Sequence, residues 1–164
     1  MNSTTTKYGT ALWLLLSIFA CTHQEYAHFQ DFKLFMAQEH RIDLSQTTDQ
    51  IYYVIPVSSC NTCSSTTLNL ELLDSKRHQS HKNQLTVILT GKINEPTHLK
   101  TINQLDASYN LIRDIGNRIE QYQTGISKPM LLHIQNGKVK RYFKINDPDI
   151  EAVGKYLEST LTTG

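Results

Sequence analysis

The chain has 164 residues, enough for one domain whose core needs neither disulfides nor metals to hold it. Its sixteen Lys and Arg are scattered against fifteen Asp and Glu, with no basic stripe to track a phosphate backbone, which argues against nucleic acid as a partner. No internal repeat and no Pro-, Gly- or Gln-rich tract is present, so solenoids and long linkers are disfavoured and one compact unit is expected.

At the amino terminus a short polar stretch carrying Lys7 leads into ALWLLLSIFA, Ala11 to Ala20, and then Cys21. As a helix this apolar run would span about 15 Å, roughly half a bilayer core, which suits an export signal over residues 1–20 better than a membrane-spanning helix. Plain secretory cleavage and an uncleaved anchor both fit the run. The stretch Ile18-Phe19-Ala20-Cys21 also resembles the bacterial lipobox, in which a small residue precedes a cysteine that is lipidated and becomes the new amino terminus. Ala20 and Cys21 match that pattern, and Phe19 is bulkier than it usually shows. The resemblance implies a lipid on Cys21 and a chain held to a membrane in the cell envelope, facing the periplasm.

From Glu25 to Arg41, Phe29, Phe32, Phe35 and Met36 recur at helical spacing and predict an amphipathic helix, followed by a loop over 42–49. Residues 21–49 are thus read as an amino-terminal helix and linker, and 50–162 as the main domain. Gln50 to Val57, QIYYVIPV, predicts a central strand, too continuously apolar for an edge. Pro56 lacks a donor, so pairing is expected to fail there, just before the cysteines. A helix is predicted from near Cys60 to about Asp74, then a polar loop with His78 and His81, a buried strand over 84–90, a short helix over 96–106 and a third strand over 109–114. Strand and helix alternate as in a parallel α/β sheet. Asn136-Gly137 between two apolar runs predicts an antiparallel hairpin with a type I′ turn. Asp147-Pro148 then offers an N-cap and an N1 proline for a last helix.

The chemistry lies in VSSCNTC, where Cys60 and Cys63 stand at the junction of a strand and a helix. At i and i+3 in a first helical turn the two side chains are neighbours, close enough for a disulfide. The earlier thiol would face unpaired N–H groups and the positive end of the helix dipole, which contributes only about 0.3–1 kcal/mol toward ionisation. Three roles are open to the pair. It can be a dithiol redox couple, a structural disulfide closing a short loop, or part of a copper(I) or zinc site completed by His78, His81 or His133. No second cysteine pair exists to build a four-sulfur zinc site.

The order of strand, Cys-x-x-Cys helix, strand, helix, strand, proline-led hairpin and last helix resembles the thioredoxin fold, and within it the TlpA-like envelope oxidoreductases. The resemblance covers about Gln50 to Leu161, with YQTGISKPMLLHIQNGKVKRYF as its second anchor. It implies an α/β fold with a central mixed sheet flanked by helices, here carrying an amino-terminal helical extension. Pro129 matches the family's cis-proline, so Lys128 and Pro129 are implied as the substrate-docking edge. Cys60 and Cys63 are implied as catalytic nucleophile and resolving thiol, joined as a disulfide when oxidised. No cofactor or metal is implied. The partners implied are a protein thiol or disulfide substrate and a second redox protein that recycles the pair. The motif departs from the family's Trp-Cys-Gly-Pro-Cys, reading Ser59-Cys60-Asn61-Thr62-Cys63. Members span roughly −270 to −120 mV, about 7 kcal/mol of redox preference, and the intervening residues help set it, so the direction of electron flow does not carry over. The first strand also lacks the buried carboxylate that many thioredoxins use to move the resolving thiol's proton.

Overall fold

A computed structural model of the chain describes residues 25–57, 64–76, 82–91 and 96–161. Cys21, Cys60, Cys63, His78 and His81 lie outside the described residues.

Strand β1 (Asp49–Val57) is the middle of a five-stranded sheet. It pairs in parallel with β2 (Leu85–Gly91), which pairs in parallel with β3 (Asn110–Asp114). On its other side it pairs antiparallel with β4 (Met130–Gln135), and β4 pairs antiparallel with β5 (Lys138–Lys144). The order β3-β2-β1-β4-β5, with these directions and a helix in each parallel crossover, is a thioredoxin-like mixed α/β sheet. The central position of β1 follows from its composition, since Ile51 to Ile55 are buried on both faces.

Those faces are distinct. Ile51, Tyr53, Ile55 and Val57 point to one side, under α2 (Ser64–Ser75), α3 (Pro96–Ser108) and α4 (Ile150–Leu161). Tyr52 and Val54 point to the other, under α1 (Phe29–His40), whose Phe32, Phe35 and Met36 are fully buried. This is the period-two alternation of a strand with a core on each face. The aromatic spacing that predicts α1 is therefore core packing, and α1 is the main cover of that face.

Several local expectations are refined. The loop after α1 contains a 3-10 turn, Leu44–Gln46, capped by the Asp43 carboxylate on the Ser45 N–H at 2.9 Å. Pairing does not fail at Pro56, which sits opposite Thr90 in the β1–β2 ladder. The Ile51 N–H donates to the Gln84 carbonyl, so odd residues of β1 bond toward β2 and even ones toward β4. The missing donor of Pro56 thus faces the β4 side, where the ladder has already ended at Val54 and Met130. Its carbonyl on that side accepts from the Thr66 hydroxyl at 3.0 Å. The last helix is capped one residue earlier than expected. Asn146, not Asp147, forms a capping box with Asp149, and a 3-10 turn, Asp147–Asp149, leads into α4.

The hairpin turn has positive φ at Asn136 (51°) and Gly137 (70°), as a type I′ turn requires. Its N–H groups donate to the Thr48 and Thr47 carbonyls, both at 2.9 Å, and a Cβ on Gly137 would lie 2.5 Å from the Ser45 carbonyl oxygen. The tip of the hairpin is thereby docked on the strand entry that follows α1.

Candidate functional site

The sequence places the Cys-x-x-Cys pair within the six residues that connect Val57, the last residue of β1, to Ser64, the first of α2. The described residues on both sides of that connection are fixed. Thr66, in the first turn of α2, holds the Pro56 carbonyl, so helix and strand end are tied directly. One turn further, Asn69 is fully buried, accepts from the Tyr53 hydroxyl and donates to the Ser65 carbonyl at 2.6 Å. Burial pushes the Tyr53 phenol above its usual pKa. This pair is neutral at ordinary pH and offers no base for a thiol proton, in keeping with the absence of a buried carboxylate from β1.

The opposite wall is the loop before β4. Pro129 is buried and Lys128 exposed, with the Lys128 ammonium donating to Asn146 Oδ1 at 2.9 Å. The Pro129 carbonyl is taken by the Ile145 N–H at 2.8 Å. Among the described residues no backbone hydrogen bond is made by Ser127 or Lys128, and both residues line the groove. The Lys128–Pro129 bond is trans, where the family resemblance implies cis; all described peptide bonds are trans. Pro56, Ser65, Thr66, Ser127, Lys128 and Pro129 line one groove of about 480 Å³. The strand end, the helix start and the proline loop therefore border a single space.

A second groove of about 680 Å³ adjoins it, sharing Pro56 and Ser127 and running past Thr90, Gly91 and Asn117 to Tyr122. Its floor is organised by a residue that sequence reasoning passed over. Asp114, fully buried at the end of β3, accepts from the Arg118 and Ile119 N–H groups, both at 3.0 Å, and lies 3.5 Å from Arg118 Nε. The Thr90 hydroxyl is 3.0 Å from Asp114 Oδ2 and 2.7 Å from the Asn117 amide. The hydroxyl faces two acceptors, Asp114 Oδ2 and Asn117 Oδ1, and shares its one proton between them. The sequence signal was a lone Asp at a strand end, which any solvated loop carries. Tyr122 packs on Phe35, with ring centroids 5.6 Å apart, and donates to Glu39 Oε1 at 2.8 Å. It braces the loop against α1.

His133 belongs to neither groove. It is buried near the start of β1, opposite Ile51, between the Asp49 carboxylate and the Tyr156 hydroxyl. The hydrogen bond from His133 holds the Asp49 carboxyl below its usual pKa. His133, opposite Ile51, is six residues of strand, about 20 Å, from Val57 at the end of β1 that leads to the cysteine segment. Among the described residues no group of three His, Cys, Asp or Glu could hold a metal, and no helix is long and apolar enough to cross a membrane.

No protein-family model matches the chain, and no curated protein matches it. Solved structures similar to it include a thioredoxin-like protein in the oxidised form, 11% identical over 70% of this chain and 79% of the other, with a TM-score of 0.44. A secreted Mycobacterium tuberculosis disulfide oxidoreductase homologous to E. coli DsbE is 6% identical, covering 68% and 81%, with a TM-score of 0.43. A thiol:disulfide interchange protein from Bacteroides sp. is 12% identical, covering 71% and 77%, with a TM-score of 0.39. The fold assignment rests on the strand order and directions given above.

Proposed function

We propose that the chain is an envelope-facing thiol–disulfide oxidoreductase, held to a membrane by a lipid on Cys21, that exchanges disulfides with a protein partner through Cys60 and Cys63. The observation that carries this reading is the single groove bordered by the end of β1, the start of α2 and the Ser127 to Pro129 loop, with the Cys-x-x-Cys pair in the connection between the first two.

In the reducing direction the Cys60 thiolate attacks one sulfur of a partner disulfide, forming a mixed disulfide and releasing the partner's other sulfur as a thiolate. The Cys63 thiolate then attacks Cys60 Sγ and displaces the second partner sulfur. The partner leaves reduced by two electrons, and Cys60 and Cys63 are left as a disulfide. The oxidising direction runs the same bonds in reverse, and a second redox protein restores the starting state in either case. Ser127 and Lys128, which line the groove and make no backbone hydrogen bond among the described residues, support a docking edge for an extended partner segment beside Pro129. Because Tyr53 and Asn69 supply no base, the resolving thiol's proton goes to water or to another residue.

A Cys63→Ala variant tests this. It is expected to accumulate partners joined to Cys60 and released by reductant. Absence of such adducts, together with a wild-type potential far below about −300 mV, would identify an inert structural bond instead. Stoichiometric copper or zinc on the wild-type chain would replace the redox reading with a metal one.

A further inference from the structure

Among the described residues, β5 carries a run of basic charge with no acid in it. Lys138, Lys140, Arg141 and Lys144 are all exposed and sit within seven residues that contain no acid. Sixteen basic residues less these four leaves twelve against fifteen acidic for the rest of the chain, so the remainder is net negative while this edge is strongly positive. None of the four has an ion-pair partner within 4.0 Å among the described residues; Arg141 instead lies over the Phe143 and Tyr156 rings at 4.9 and 5.2 Å. The edge is not built for another strand either, because the β4–β5 register shifts between His133 and Ile134 and lysines line it.

A second, independent observation says what this edge faces. The first described residues of the chain are pinned beside it. The Tyr26 ring packs on Tyr142 of β5, with centroids 5.3 Å apart, and its hydroxyl donates to the Thr124 carbonyl. Only four residues lie between Cys21 and Tyr26, a reach of at most about 18 Å even when fully extended. Along β5, Lys140 and Lys144 stand two residues to either side of Tyr142, roughly 7 Å each.

We infer that the basic β5 edge lies against an anionic membrane surface, with lipid headgroups as its ligand and the short tether from Cys21 as its registration. This rests on the lipid anchor proposed above. A long tether would let the domain tumble; this one keeps Tyr142 and the flanking Lys140 and Lys144 near the headgroups whenever that edge turns inward, and no other described edge has both charge and tether.

The test uses the full-length chain in its processed form, reconstituted in vesicles of neutral phosphatidylcholine or of phosphatidylcholine with anionic phosphatidylglycerol. Lysines are labelled with a membrane-impermeant amine reagent and quantified by mass spectrometry. Lys138, Lys140 and Lys144 are expected to label about fivefold more slowly on anionic than on neutral vesicles, with the difference lost in high salt and Lys100 on α3 unaffected. Sedimentation with vesicles but equal labelling of β5 on both compositions, or equal protection of Lys100, overturns the orientation and leaves the anchor standing. Failure to sediment, with no lipid mass on Cys21, removes the anchor and the inference with it.

Discussion

Gly91 ends β2 with φ of +107°, a conformation that side chains rarely tolerate, and a Cβ there would lie 2.4 Å from the Val57 carbonyl oxygen. Val57 is the last residue of β1, directly before the cysteine segment in sequence, so this glycine sets how closely β2 supports the entry to the site. Replacing it with alanine must push back the Val57 carbonyl or twist the end of β2. Gly91→Ala is expected to cost about 1–3 kcal/mol in urea unfolding and to alter the rate at which dithiothreitol reduces the Cys60 pair. Gly116→Ala is the control, because its Cβ would meet only the flexible Arg118 side chain at 3.5 Å and should change neither measurement. If both variants behave alike, the close approach at Val57 is not what shapes the site.

Helix α1 carries a titration of its own. Its last residue, His40, meets Phe35 edge to face with centroids 5.0 Å apart, and Nε2 is buried without a hydrogen-bond partner. Burial lowers the His40 pKa below its usual 6.5, outweighing the attraction of Asp114. The unfolded chain therefore binds a proton in a range where the folded chain does not. The stabilisation is whole above the unfolded value of 6.5 and is lost as pH falls through the lower folded value. Between about pH 7.5 and 5.5 the wild-type thermal midpoint should fall more steeply than that of His40→Gln, and parallel curves would show that His40 is not the source. The carboxyl of Asp49 contributes in a separate, more acidic window, since its pKa is lowered from 3.8. Elements with a strong local period were legible: α1 from its aromatic spacing, the hairpin from Asn136-Gly137, β1 from its unbroken apolar run. What escaped was set by contacts distant in sequence. The pairing of Pro56 depends on where β4 stops, the last cap falls on Asn146 because Asp149 reaches back to it, and Asp114 gains its role only when Thr90 lies beside it. Pro129 could be matched by motif, yet the sequence carried no sign that its peptide bond is trans.

At the scale of the whole molecule the sheet is a wall with two cores, and the chain uses elements from opposite ends to cover them. The face under α2, α3 and α4 is built after β1, within the region that resembles thioredoxin. The other face depends on α1, which precedes the boundary drawn at residues 49 and 50 from sequence. Phe32, Phe35 and Met36 are each fully buried there against Tyr52, Val54, Ile88 and Leu132. At about 1.5–3 kcal/mol for each large side chain, these three supply several kcal/mol, comparable with the entire 5–15 kcal/mol that keeps an ordinary domain folded. Tyr122 and Arg118 also lose their partner Glu39 without α1, and with it the brace on the loop that lines the larger groove. A chain beginning at Gln50 is therefore expected to lose its cooperative thermal transition and to bind a hydrophobic dye at neutral pH, with its thiol pair no longer distinguished in reactivity from a simple dithiol. A cooperative transition within a few degrees of the full chain would mean instead that the unit from residue 50 onward folds alone, without the core that α1 supplies.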